Sequence, residues 1–204
     1  QEIGGHFEHN EQSVRIVEKL EKEGQGLNLT RDVRDGMLNH CGKLKAHTLE
    51  GALIKYADRI AYLCHDYEDA ETMGLIGPED LPEAVKRKIG VTHSSMITAM
   101  VTSVVKNSMQ SEEDGIHMSK EGDEILALFR KFMFDEVYMS KALIPDRKRG
   151  SNVVKMLYTY YTEKRPDGSY HETRLPEKQV RLAEGNIPLA AVDYIYGLTD
   201  NFAI

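Results

Sequence analysis

One long segment in the first half of the chain, Leu49–Thr72, reads LEGALIKYADRIAYLCHDYEDAET and favours a single regular structure. Its apolar residues recur at steps of three and four residues, which is the period of an α-helix and not of a strand. The segment therefore predicts one long amphipathic helix. The residues expected to face a core are Ile54, Ala57, Ile60, Ala61 and Cys64.

The same segment carries a second, polar pattern. Asp58, Tyr62, Asp66 and Asp69 lie within about 80° of one another on an ideal helix. Two interpretations remain open, a solvated acidic stripe and a fixed polar site. Aspartate has a poor helix propensity, so Asp58 in the middle of a strong helix suggests a tertiary demand, for which a metal ion is one candidate.

Helical periodicity and breaker residues also organise the rest of the chain. Thr30, Thr92 and Ser119 are candidate N-caps, and Pro145 is expected to interrupt the helical pattern. Residues 165–176 read as a loop or flap because they contain Pro-Asp-Gly. Alternating strand patterns are lacking, so the predicted fold class is all-α. The predicted helices cover about 8–23, 31–40, 49–72, a short basic stretch after Pro82, 92–109, 119–140, 151–163 and a final segment from Pro188.

Composition restricts the classes of function. At 204 residues and 41% hydrophobic content, the chain can bury one sizeable core. It has no apolar run of bilayer length and no secretory pattern at its start, so we expect a cytoplasmic protein that does not enter a membrane. A net charge of −7 disfavours an extended nucleic-acid surface. Cys41 and Cys64 lack metal-type spacing and are expected to be reduced thiols.

Two further clusters have both a functional and an ordinary interpretation. His40 and His47 flank a glycine-containing loop and could bind a metal, although surface or capping roles are the more common use. Arg147, Lys148 and Arg149 could contact phosphate, or simply form a solvated face.

Three segments resemble a known family. GGHFEHNEQSVRIVEKL (4–20), YADRIAYLCHDYEDA (56–70) and VDYIYGLTDNFA (192–203) are similar to the deoxyguanosine triphosphate triphosphohydrolase group of HD-domain phosphohydrolases. The match covers most of the chain in the same order. It implies an HD-domain-like helical bundle, with residues 1–75 as the site region and residues 76–204 as the helical C-terminal region of a single domain.

The resemblance also implies roles for individual residues. Asp58 matches a metal ligand, and the cofactor would be a divalent ion such as Mn, Mg, Fe, Zn or Co. Tyr62 and Asp66 match residues that contact the deoxyribose, and Arg59 matches a basic residue near the phosphates. His9 matches a catalytic-site histidine that faces the phosphates in some members, while the family pattern at Asp193 is interpreted as structural.

The chain departs from the family pattern in its other metal ligands. The family places a histidine and a His-Asp pair ahead of the segment that contains His9, whereas this chain begins at Gln1 and has its His-Asp dipeptide at His65-Asp66. We therefore expect it to be the C-terminal part of a longer protein, incomplete at the N-terminus of the bundle and inactive by itself.

The activity implied by the resemblance is metal-dependent hydrolysis of a deoxynucleoside triphosphate, dGTP or another dNTP, to deoxynucleoside and inorganic triphosphate. A homo-oligomer is the expected assembly. Two alternatives stay open at this point: an HD phosphohydrolase that acts on another nucleotide, and a non-catalytic helical module for nucleotide binding or oligomerisation.

Overall fold

The computed structural model describes residues 7–111, 115–171 and 174–203, and 71% of these described residues are helical. Within these ranges no strand forms, and Lys164 and Tyr170 make an isolated antiparallel bridge. The predicted all-α class is confirmed. No helix in the described ranges combines the length and the apolar character needed to cross a membrane.

The helices follow one another along the chain with short connections. In order they are α1 (His9–Arg15), a π-helical turn (Ile16–Leu20), α2 (Glu21–Gly24), α3 (Arg31–Asn39), α4 (Leu49–Thr72), α5 (Glu83–Ile89), α6 (His93–Gln110), α7 (Lys120–Phe132), a second π-helical turn (Met133–Tyr138), a 3-10 turn (Lys141–Leu143), α8 (Ile144–Thr162), α9 (Glu177–Leu182), α10 (Ile187–Tyr196) and α11 (Asp200–Ala203).

The chain divides into two compact units. The central unit runs from residue 30 to residue 144 and contains α3 to α7. The terminal unit combines the chain up to residue 29 with the chain from residue 145 onward. The expected single domain with a site region at 1–75 stays a prediction.

Side-chain caps fix where the helices of the central unit begin. The Thr30 hydroxyl accepts from the N–H of Val33 at 3.3 Å, and the Ser119 hydroxyl accepts from Gly122 at 3.1 Å. Thr92 forms a reciprocal capping box with Ser95. All three predicted caps are therefore confirmed.

Helix α4 begins and ends at the predicted residues, but its buried face is turned from the predicted one. Ile60 and Cys64 are buried as expected, whereas Ile54 is 52% exposed and Ala57 is exposed. On a helix those two residues lie about 120° and 60° from Ile60, on the side away from buried Leu63. The prediction that Ile54 and Ala57 face the core is therefore wrong. Sequence spacing alone did not show that the core packs against the face of α4 that contains Leu63.

The core of the central unit surrounds the C-terminal half of α4. Tyr67 is fully buried and packs edge-on against Phe129 of α7, with ring centroids 5.9 Å apart. Helices α5 and α6 complete this core. Fully buried side chains around Tyr67 belong to Cys64, Val85, Met96, Phe129 and Met133.

The terminal unit contains a buried ionic contact. Asp193 of α10 is 3% exposed and accepts from the Gln12 amide at 2.8 Å. Arg15 binds the same carboxylate through two nitrogens, at 2.9 Å and 2.6 Å. The structural interpretation of Asp193 therefore agrees with its contacts. In the same segment, Gln12 is buried while the apolar residues Val14, Ile16, Val17 and Leu20 are half-buried.

Pro145 does not interrupt the helical pattern as predicted. It is the second residue of α8, which starts at Ile144. Proline is compatible with a first helical turn because the N–H it lacks would have no helical partner there. Helix α9 was not predicted. The predicted loop 165–176 contains a turn in which the Arg165 N–H donates to Ser169, and residues 172–173 lie outside the described ranges.

Candidate functional site

The polar face of α4 is built by residues one helical turn apart. Asp58, Tyr62 and Asp66 follow at four-residue steps. Asp58 lies opposite the buried residues Leu63 and Tyr67, whereas Asp66 lies only about 60° from Leu63 on an ideal helix. Asp58 is exposed, Tyr62 is 53% exposed and Asp66 is half-buried. The face is therefore open to a ligand at Asp58 and Tyr62 and enclosed at Asp66.

Tyr138 closes this face at Asp66. Its hydroxyl donates to Oδ2 of Asp66 at 2.5 Å, and its ring lies 5.8 Å from the ring of Tyr62 at an interplanar angle of 32°. The pKa of Tyr138 is raised, mainly by burial and to a smaller extent by the hydrogen bond to Asp66, so the phenol keeps its proton at neutral pH. The contact holds the Asp66 carboxylate in one orientation. It also leaves Oδ1 without a donor among the described residues.

The sequence patterns did not single out Tyr138, which lies within the segment 119–140 that was predicted as one continuous helix. The reason is a change of helical register, because residues 133–138 form a π-helical turn. A π turn rotates the following side chains from their α-helical positions, and such turns are frequent at functional sites. Met133 and Val137 remain buried, while Tyr138 reaches α4.

Asp58 is the predicted metal ligand, and the described residues provide only part of a site for an ion. Its carboxylate has no hydrogen bond or ion pair in the described ranges, and carboxylates are good ligands for hard divalent cations. However, no group of three possible ligands within those ranges includes Asp58. A complete metal site at Asp58 does not fit the described residues alone.

Positive charge lies beside Asp58. Arg59 is exposed. Lys55 donates to the carbonyls of Gly42 and Leu44, both at 2.8 Å. The pKa of Lys55 is lowered, mainly by burial and to a smaller extent by the positive charge of Arg59. Two cations near one carboxylate can attract an anionic group such as a phosphate.

The other candidate residues lie as follows. His9 is the exposed first residue of α1, and its carbonyl accepts from the Ser13 hydroxyl at 2.7 Å. Nδ1 of His40 lies 2.6 Å from the Met37 carbonyl, and the His47 N–H donates to Asp35. The His40 contact agrees with its capping interpretation. The His47 contact involves only the backbone N–H and the residue is exposed, which agrees with its surface interpretation.

The remaining candidates from the sequence are the basic cluster at residues 147–149 and the two cysteines. Arg147, Lys148 and Arg149 are exposed in the first turns of α8, and Arg149 pairs with Asp146 at 3.3 Å. Cys41 and Cys64 are free thiols.

A pocket of the central unit lies between α5, α6 and α7 and is lined by Lys88, Met100, Met118 and Ile125 among others, so it does not include the polar face of α4.

Comparison with known proteins adds evidence that the geometry alone lacks. Residues 116–204 match the family model of the phosphohydrolase-associated domain, HD_assoc. A deoxyguanosinetriphosphate triphosphohydrolase-like protein of Caldanaerobacter subterraneus subsp. tengcongensis is 40% identical over 203 residues, which cover 99% of this chain and 57% of that protein. The chain is a homologue of this triphosphohydrolase-like protein.

Further relatives carry the same name. The protein of Clostridium perfringens strain SM101 is 36% identical over 208 residues, covering 98% of this chain and 59% of the relative. That of Bordetella pertussis is 28% identical over 253 residues, covering 98% of this chain and 63% of the relative. The resemblance to the triphosphohydrolase group is confirmed. The chain spans less than two thirds of the length of each of these triphosphohydrolase-like relatives.

Proposed function

We propose that the protein containing this chain is a phosphohydrolase that converts deoxynucleoside triphosphates to deoxynucleoside and inorganic triphosphate. Support comes from the names of the homologues and from the phosphohydrolase-associated domain at residues 116–204. The choice of a deoxynucleotide as substrate rests on the face of α4, argued below.

The observation that carries the proposal is the fixed carboxylate of Asp66 beside an exposed tyrosine ring. Tyr138 occupies Oδ2 of Asp66 from one side, and Oδ1 has no donor among the described residues. A sugar hydroxyl can therefore donate to Oδ1 without displacing a protein partner. A hydrogen bond to a charged acceptor contributes about 1.5–3 kcal/mol, enough to select a ligand with a 3′-hydroxyl.

Tyr62 supplies the second half of the sugar subsite. Its ring is 53% exposed and is held against Tyr138. A deoxyribose bound at Asp66 would lie with its C2′ against the carbon atoms of this ring, where an added 2′-hydroxyl would meet an apolar surface. A ribonucleotide would then bury an unpaired hydroxyl or displace the ring, and both cost free energy.

The phosphates would extend from the sugar along α4 toward Arg59 and Lys55. Arg59 is exposed and can pair with phosphate oxygens through its planar guanidinium. A divalent ion held in part by Asp58 would lower the pKa of bound water and neutralise phosphate charge. His9 keeps its predicted role as a donor to a phosphate or to the leaving oxygen. The expected homo-oligomer and cytoplasmic location also remain predictions.

The test is product analysis with the natural full-length protein that contains this chain. The protein is incubated with each dNTP and Mn²⁺, and the products are separated by anion exchange. Inorganic triphosphate and free deoxynucleoside are expected. Asp58→Asn should abolish their release, while Asp69→Asn, which changes an exposed carboxylate farther along the same face, should retain it.

The other outcomes have distinct meanings. Release of pyrophosphate or monophosphate would place the protein among phosphohydrolases of another specificity. No turnover of any dNTP, with the nucleotide still bound, would indicate a non-catalytic binding module. Either result contradicts the proposed reaction.

A further inference from the structure

A second group of possible metal ligands lies in the central unit. His65 and Glu68 are three residues apart on α4, and His93 is the first residue of α6. One ligand atom of each residue lies within 4.8 Å of the other two. The packing of α6 against α4 brings together residues separated by 28 positions in the sequence.

The distances within this group fit a small metal ion. Nε2 of His93 lies 3.1 Å from Nδ1 of His65, and the ring centroids are 4.6 Å apart. A carboxylate oxygen of Glu68, the third ligand atom, lies within 4.8 Å of one ring nitrogen of each histidine. The Glu68 carboxylate is also 3.9 Å from Nδ1 of His93, which would stay outside the coordination sphere if Nε2 binds the ion. Two nitrogens bound to one tetrahedral zinc at about 2.0–2.1 Å lie roughly 3.3 Å apart, close to the separation seen here.

We propose that His65, Glu68 and His93 bind a divalent transition metal, with zinc as the best match. Two imidazoles and one carboxylate are suitable zinc ligands, and a three-ligand site leaves one position for water. This site is separate from the ion proposed at Asp58. Asp58 precedes His65 by seven residues, which is about 10 Å along the helix axis.

The surroundings of the ligands hold them in place. The capping box of Thr92 and Ser95 fixes the backbone immediately before and after His93. His65 is adjacent to buried Cys64 and Glu68 to buried Tyr67, so the core fixes the rotation of α4 at this point. The His93 side chain is 25% exposed, so solvent can deliver an ion.

An ion at this position would join α4 to α6. It binds only when both helices are packed, so zinc should stabilise the folded state by mass action. The consequence is measurable without any enzymatic activity. The central unit should unfold at a higher temperature in zinc, and the increase should depend on all three side chains.

The experiment measures zinc affinity of the chain by competition with a chromophoric chelator, and thermal unfolding by circular dichroism. His93→Gln and Glu68→Gln should each remove one equivalent of zinc or weaken its binding by at least about tenfold. Both variants should also lose the zinc-dependent rise in melting temperature. His47→Gln and Glu71→Gln are the matched controls, since they change an exposed histidine and an exposed glutamate of the same unit outside the group.

Two results would overturn the proposal. One is zinc binding that is unchanged in His93→Gln, which would place the ion elsewhere. The other is no zinc-dependent stabilisation of the unmodified chain, which would leave the two histidines as a hydrogen-bonded pair. Asp58→Asn should bind this zinc as the unmodified chain does, so failure here is distinguishable from failure of the proposed hydrolysis.

Discussion

At the scale of single residues, sequence spacing identified the polar face of α4. It did not identify Tyr138, which hydrogen-bonds to Asp66 on that face. Asp58, Tyr62 and Asp66 share a face because helix geometry requires it, and this follows from the sequence. Tyr138 lies 72 positions away from Asp66 and reaches it through a π turn. A pattern of apolar residues cannot predict a change of register, so this contact required the structure.

Buried groups on the core side of α4 make stability depend on pH. Burial raises the pKa of Cys64 from 9.0 to about 12, and chiefly burial raises the pKa of Tyr67 from 10.0 to about 12. In the unfolded chain both groups lose their protons at lower pH than in the folded chain. Above pH 9 the unfolded state therefore binds fewer protons, and the free energy of unfolding must fall as pH rises.

Below pH 9, Cys64 and Tyr67 should make a constant contribution to the free energy of unfolding. Between pH 9 and about 12, the free energy of unfolding should fall progressively. Urea unfolding at pH 8, 9.5 and 10.5 measures it. Cys64→Ala serves as the comparison, since it removes one of the two groups and should show a shallower decline from its own value at pH 8. A stability that rises over this interval would contradict the assignment of Cys64 and Tyr67 to the core.

At the scale of helices, the caps, which depend on residues close in sequence, were predicted correctly. The buried face of α4, which depends on packing between helices, was not. Thr30, Thr92 and Ser119 cap their helices as predicted because capping involves residues only three positions apart. The buried face of α4 was partly misassigned because it depends on which neighbours pack there. The start of α8 was missed because proline both breaks helices and begins them.

The contact between α1 and α10 predicts a large effect from a small change. Asp193→Asn keeps the shape of the side chain but removes the charge that binds two Arg15 nitrogens in a buried position. That hydrogen bond also raises the pKa of Arg15, so the guanidinium stays charged. We expect a loss of about 2 kcal/mol in the free energy of unfolding.

Urea denaturation followed by circular dichroism checks this value. The control is Asp200→Asn, which alters an exposed aspartate seven residues later and should change stability by less than about 0.5 kcal/mol. Equal effects of the two substitutions would show that the contact with Arg15 does not stabilise the terminal unit.

At the scale of the whole molecule, the helical class followed from periodicity, and the resemblance to triphosphohydrolase-like proteins followed from three motifs spread along the chain. The two compact units did not follow from either, because periodicity shows which face is apolar and not which helix covers it. The group of His65, Glu68 and His93 was also missed. His65 had been noted only as part of a dipeptide, and no sequence spacing connects it to His93.

The most direct test of the central claim, that α4 binds a deoxyribose through Asp66, compares a dNTP with its 2′,3′-dideoxy analogue. The measurement is kcat/KM for both nucleotides with the natural full-length protein, its Asp66→Ala variant and the control Asp69→Ala. The unmodified protein and the control should prefer the 3′-hydroxyl by roughly 10- to 100-fold, as one hydrogen bond to a carboxylate provides. In Asp66→Ala the preference should fall to about one. An unchanged preference in Asp66→Ala, or none in the unmodified protein, would contradict the account.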